Sequence, residues 1–362
     1  MSREGQRATV KGQRSKVKRL FLALGAIIVL VIVAAGVVGT SMYRRTMEPF
    51  KGYPGDELFI EIPTGSNAPD IGRRLVEAGV VRDALTFRVT LWRAGQARSL
   101  RAGEYRFDRP MTAVEVIEKI SRGEVYERRV TFPEGLTIPE MAALYEARGL
   151  GAAGGFAKAA KNPSRIAKLD PKAQDLEGYL FPETYSLPRG TPPERLIELM
   201  VDRFEEAFPP EHRRAVEARG LTVRQAVVLA SLVEKETARD DERPIVAAVY
   251  LNRLRIGMPM QCDPTVIYAL RKAGKYKNNN LRREDLDFDS PYNTYRYPGL
   301  PPGPIAAPGR ASLAAVANPA AVDYLYFVSR NDGSHVFATT LREHNQNVQE
   351  FQIQYFREKR GQ

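Results

Sequence analysis

Residues 222–237 read "TVRQAVVLASLVEKET", and the fold turns on how this stretch is read. Between Ala226 and Val233 only Ser231 is polar. A helix apolar around its whole circumference has to be buried, so the rest of the domain must pack around it. Two acids close the run. With 3.6 residues per turn, Glu234 and Glu236 lie about 200° apart, on opposite faces. They cannot be the converging pair of an ordinary glycosidase, whose carboxyls sit about 5–9.5 Å apart across one bond. At most one of them points into a site. Glu236 stacks over Leu229, Leu232 and Val233, and Glu234 over the smaller set Val227, Ala230 and Ser231. A carboxyl on the greasier face has its acid form favoured, which suits a general acid. The plain alternative is a solvated helix end with glutamate and lysine paired at the surface, and periodicity alone leaves it open.

Outward from this helix, the N-terminus carries the next strong signal. Residues 20–43, "LFLALGAIIVLVIVAAGVVGTSMY", contain no charge, about the length needed to cross a ~30 Å hydrocarbon core. The preceding residues 1–19 hold seven basic side chains and one acid, a net of +6. Basic excess stays on the cytoplasmic side, so the expectation is a single-pass anchor in the cytoplasmic (inner) membrane. The N-terminus is then inside, and everything after a linker at 44–56 lies outside the cytoplasm. A cleaved signal peptide is the alternative; its apolar core is usually about 7–15 residues, shorter than this one. Of the formal charge of +11, the remaining +5 is spread over some three hundred residues. That is a weak field without a basic-aromatic run, so nucleic acid is not an expected partner. A cell-wall polymer or lipid headgroups fit better. One cysteine, Cys262, excludes an intramolecular disulfide.

From residue 57 to 149 an extended stretch, a turn and an amphipathic helix recur three times, beginning at "ELFIEI", "GEYRF" and "ERRVTF". Thr112 with Glu115 and Thr137 with Glu140 read as capping boxes, and Asn67 with Asp70 as a similar entry. Gly79, Gly123 and Gly149 stand where left-handed C-caps belong. "DALTFRVTLWRAG" supplies an extra helix. Such units resemble LysM-like carbohydrate-binding modules; a plain α+β packing domain is the alternative reading. From residue 150 to 362 the composition shifts to long helical patterns, one running from Thr222 to Leu254, and to loops rich in Tyr, Asn and Pro. A helix capped by Ser312, a hairpin "YLYFVSR"–"NDGS"–"HVFATT" and a closing helix follow.

The segments "GYLFPETY", "LASLVEKETA", "NRLRIGMPMQCDPTVIYAL", "PYNTYRYPGLPPGPIAAPG", "YLYFV" and "HNQNVQ" occur in this order. Together they resemble the YceG-like family, the endolytic murein transglycosylases, over residues 57–351. The resemblance implies an α+β protein: a membrane anchor, a small LysM-like domain and a helix-rich, lysozyme-like catalytic domain with a few strands. It implies cleavage of the MurNAc-β1,4-GlcNAc bond within nascent peptidoglycan strands without water, leaving a 1,6-anhydro end, with peptidoglycan synthases as partners. It points to Glu236, followed by Thr237, as the acid, in agreement with the stacking argument. It implies substrate contacts from Gln261, Asp263, Thr265 and Tyr268, from Asn293, Thr294 and Tyr295, and from Glu183 and Tyr185. Asn293 is the first choice for holding the acetamide or Glu236 itself; capping and turn roles remain the alternative for these residues. Cys262 stands where the family more often has Ser or Thr, which suits a position behind the site. No cofactor and no metal are expected: His212, His335 and His344 lack ligand spacing and read as surface or core histidines.

Overall fold

The computed structural model describes the backbone of residues 3–276 and 280–360, and side chains from residue 22 onward apart from 23, 356, 358 and 360. The side chains of the basic segment 1–19 thus lie outside the described residues. The chain divides into two compact units, Met1–Glu127 and Arg128–Gln362.

In the first unit, helix α1 spans Arg3–Met47. Within its Leu24–Met47 stretch an 18-residue window reaches a mean hydropathy of 2.5, and none of that window is buried. That stretch is long and apolar enough to cross a membrane. Strands β1 (Leu58–Ile62) and β2 (Gly103–Phe107) form an antiparallel pair, in register from Leu58 opposite Phe107 to Ile62 opposite Gly103. Between them come α2 (Ala68–Glu77) and α3 (Ala84–Ala94), and α4 (Ala113–Arg122) follows. Strand alternation turns Ile60 and Ile62 inward, where they meet Leu75, Phe87, Tyr105, Val116 and Ile120 in one core. The caps are those the sequence marks: Asn67 accepts from the Asp70 amide, and Thr112 and Glu115 close a reciprocal capping box. Gly79 and Gly123 take the left-handed conformation at φ 72° and 69°.

The second unit is helix-rich. Strand β3 (Glu127–Thr131) pairs with β4 (Thr184–Pro188). Helices α5 (Ile138–Ala147) and α6 (Ala153–Ala160) lie between them in sequence, and α7 (Pro193–Ala207) and α8 (Pro210–Glu217) follow. Then come α9 (Val223–Glu236), α10 (Arg243–Arg255), α11 (Asp263–Lys272) and α12 (Arg310–Ala317). A hairpin of β5 (Tyr326–Ser329) and β6 (His335–Ala338) leads to α13 (Leu341–Val348). Every residue of α9 from Ala226 to Val233 is buried, as its all-round apolar surface requires.

Three details differ from the sequence expectation. The compact units divide at 127/128 instead of 149/150. Val130, Phe132, Met141 and Tyr145 of the third strand–helix unit belong to the same core as α9. Local pattern identifies a strand–helix unit but not the core it joins. The helical run 222–254 breaks: Thr237 is extended (φ −137°, ψ 136°) and a new helix begins at Arg243 with Pro244 in its first turn. Pro lacks an amide hydrogen and clashes with the preceding turn, so it sits at a helix start. Ser312 is not the cap of α12; Gly309 is, and Ser312 lies inside the first turn.

Candidate active site

The end of α9 sorts its two acids by environment. Glu234 is engaged on all sides. Its Oε2 accepts from the Gly309 amide at 2.9 Å and from the Ser312 hydroxyl at 2.7 Å, and its Oε1 from the Arg243 guanidinium at 3.3 Å. Both partners of that ion pair are buried, with side-chain exposures of 6% and 7%. Glu234 therefore supplies, from a distant helix, the carboxylate that α12 lacks at its own N-terminus. Glu134 crowds the same spot so closely that a Cβ on Gly309 would collide with its carboxyl.

Glu236 faces the other way. Its Oε1 accepts from the Tyr250 hydroxyl at 2.9 Å, and the Cys262 thiol stands beside the carboxyl, favouring its charged form. Desolvation pushes its proton affinity up, with the Asp263 charge adding to the rise. The Cys262 thiol, the Tyr250 bond and the charge of His335 pull it back down. The net direction is upward. Burial likewise pushes the Cys262 thiol and the Tyr250 phenol well above their ordinary values, so both stay protonated.

The structure gathers some of the expected residues at Glu236 and disperses others. Asp263, at the start of α11, accepts from the Tyr295 hydroxyl at 2.5 Å, and Tyr295 feels the charge of Glu236. Gln261 is exposed beside Cys262, at φ 49°. A left-handed non-glycine residue stores about 1 kcal/mol or more, and such strain collects at working sites. Thr265 and Thr294 are buried behind this rim, bonded to each other at 2.9 Å, and Thr294 accepts from the Cys262 amide at 3.0 Å.

Asn293 is a correction. It is fully buried; its amide donates to the Leu286 and Phe288 carbonyls at 2.8 Å each, and its oxygen accepts from the Tyr295 amide at 3.0 Å. The side chain shapes the loop that presents Tyr295 and has no donor left for an acetamide. Glu183 pairs with Arg203 at 3.2 Å on an exposed face, and Tyr185 is buried with its hydroxyl on the Phe181 carbonyl at 2.7 Å. Neither bonds to Glu236. Tyr268 lies further along α11, donating to Glu177 at 3.3 Å beside a cavity of about 420 Å³ lined also by Ile138, Glu140, Asp175, Arg271 and Lys272. Burial pushes the Glu177 carboxyl up to about 8.

Four roles around this helix end escaped the sequence reading: those of Tyr250 and Cys262 beside Glu236, and of Glu242 and His335 beyond Thr237. His335 is neither a surface histidine nor an inert core one. Its Nδ1 meets Glu242 Oε2 at 2.7 Å, and its backbone amide donates to Glu242 Oε1 at 2.9 Å. Glu242 is buried and also accepts from the hydroxyl of Thr237, the residue after Glu236, at 3.2 Å. Tyr250 alone left a trace in the sequence, as a polar-tipped aromatic in an apolar helix; His335 is 93 positions from its partner.

Set against known proteins, the chain matches the YceG-like family profile over residues 60–350. It is 32% identical to a Bacillus subtilis (strain 168) protein named endolytic murein transglycosylase, over 85% of this chain and 88% of that one. A Streptococcus pneumoniae (strain D39) protein of the same name is 31% identical over 88% of this chain, which spans 62% of that longer relative. A solved structure of a YceG-like protein from Listeria monocytogenes superimposes with a TM-score of 0.55 at 30% identity, covering 80% of this chain and 98% of that one. The acid-bearing helix end, the irregular loops around it and these matches agree: the chain belongs to the YceG-like family.

Proposed function

We propose that the protein is an endolytic peptidoglycan lytic transglycosylase. In this reading it cleaves MurNAc-β1,4-GlcNAc bonds within glycan strands, and Glu236 serves as acid and then base. The observation that carries it is the difference between the two acids at the end of α9: Glu234 is engaged in holding the fold, whereas beside Glu236 stand the Tyr250 phenol and the Cys262 thiol, neutral groups that desolvation keeps protonated.

The chemistry needs one such group. Protonated Glu236 gives its proton to the glycosidic oxygen as the bond to the muramoyl C1 breaks. Tyr250, already donating to the carboxyl, and the Cys262 thiol beside it steady the carboxylate that forms. That carboxylate then takes the proton of the C6 hydroxyl, whose oxygen closes on C1 to give the 1,6-anhydro ring. The nucleophile is intramolecular, so no second carboxylate has to activate water, and ring closure benefits from high effective molarity. Asp263, Tyr295 and Gln261 are the rim groups suited to sugar hydroxyls and ring faces.

In the same reading α1 is a single-pass anchor with its basic end cytoplasmic, the catalytic unit acts outside the cytoplasm, and cleavage ends the growth of nascent strands beside the synthases. The β1–α2–α3–β2 arrangement, two helices between antiparallel strands, supports a LysM-like role for the first unit. The test is to digest intact glycan strands and weigh the products. Anhydro-ended mid-strand fragments from the unmodified protein, absent with Glu236→Gln, support the reading. Reducing ends indicate a water-using muramidase, and unchanged strands indicate a wall-binding scaffold.

A further inference from the structure

The Thr237–Glu242–His335 cluster begins at the residue after Glu236, yet the reaction as written does not use it. A carboxylate only accepts hydrogen bonds, so the Glu242–His335 contact fixes a proton on Nδ1. No hydrogen bond from Nε2 occurs among the described residues. The ring is held in place by its own backbone, which donates to the same carboxylate, and by Phe327, which meets it edge-on at 5.5 Å. Phe327 packs edge-on against Tyr250 as well, at 6.1 Å, and Tyr250 donates to Glu236. His335 is thus tied to the candidate acid by two routes, through Glu242 and Thr237 and through Phe327 and Tyr250.

We propose that His335, held by Glu242, is a positioning residue for Glu236: in its protonated form it stabilises the carboxylate that Glu236 becomes after giving up its proton. The proposal rests on Glu236 being the acid. The charged and titratable groups facing the pair are Glu242, Tyr250 and Arg253 of α10 and its cap, Cys262 and Asp263 at the start of α11, and Tyr295. Arg239 reaches Glu242 at 3.6 Å from outside. A nearby positive charge lowers the proton affinity of a carboxyl, and His335 acts on Glu236 in that direction.

The experiment measures glycan-strand cleavage by the full chain across pH, for the unmodified protein, His335→Gln and Glu242→Gln, with melting temperatures as a check on folding. In His335→Gln, kcat falls about tenfold with KM nearly unchanged, and the alkaline limb of kcat/KM moves up by roughly half a pH unit or more, because Glu236 has lost a neighbouring cation. Glu242→Gln moves the limb the same way by less, and supplies the answer if His335→Gln does not fold. If both folded variants keep the alkaline midpoint of the unmodified protein, the proposal is overturned whatever happens to kcat. Failure of the underlying reading looks different: there Glu236→Gln cleaves as well as the unmodified protein.

Discussion

The two sides of one helix end, Glu234 and Glu236, are the most instructive pair of regions in the molecule. Both are glutamates two residues apart at the end of the same apolar helix. On one side, two donors and a buried guanidinium converge on Glu234 and join α9, α10 and α12. On the other, among the described residues, the Tyr250 phenol donates to Glu236 and the Cys262 thiol stands beside it, and neither carries charge. Charge-paired and fully hydrogen-bonded, the first carboxylate is locked as structure. Desolvated and donor-poor, the second is left able to hold and release a proton. The same side chain acquires two different assignments from its neighbours alone.

The strongest way to break this comparison is to neutralise each acid in turn. Glu236→Gln is expected to lower cleavage at least 10²-fold, since general acid–base catalysis is typically worth 10²–10⁴, while its melting temperature stays close to that of the unmodified protein. Glu234→Gln should do the reverse. Activity at 25 °C persists, but unfolding by denaturant shows a loss of about 2–3 kcal/mol, because Arg243 is left buried with its buried partner neutral and only the more exposed Asp240 and Glu134 to pair with. Equal activity losses in the two variants, both well folded, would erase the distinction.

A smaller effect sharpens the Glu236 side. Tyr250→Phe removes one donor that favours the carboxylate, so cleavage should drop roughly three- to tenfold. The alkaline limb of its pH profile should move upward, as the acid form is lost later. An unmoved limb would mean that the 2.9 Å bond has no bearing on the proton.

The smallest expected effect extends the comparison to a third buried carboxyl. Glu177 is pushed up to about 8 in the folded protein, from near 4.3 in an unfolded chain. Between those values the unfolded state releases a proton that the folded state retains, so this group lowers stability as pH rises from about 4 to 8. Glu177→Gln should flatten the fall of the melting temperature over that window, read by calorimetry at pH 5 and pH 8. Parallel curves for the two proteins would show that Glu177 is ionised in the fold.

Much of this was legible in the sequence. The apolar stretch before "EKET" dictated a buried helix with its acids facing apart, and the capping boxes at Thr112 and Thr137 stand where read. Hydrophobic period and cap chemistry are local, acting over four residues or fewer, and a sequence displays them directly. The candidate acid could be ranked above its neighbour because stacking within one helix is local too. What the tertiary structure alone decided is who else stands at that helix end. Glu234 is held by Gly309 and Ser312 at 75 and 78 positions' distance, and Glu242 holds His335 across 93. The loop residue Asn293, which looked like a sugar ligand, turned inward to satisfy backbone carbonyls. Proton affinity and hydrogen-bond satisfaction depend on distances in space between groups far apart along the chain, and no period in the sequence encodes those distances.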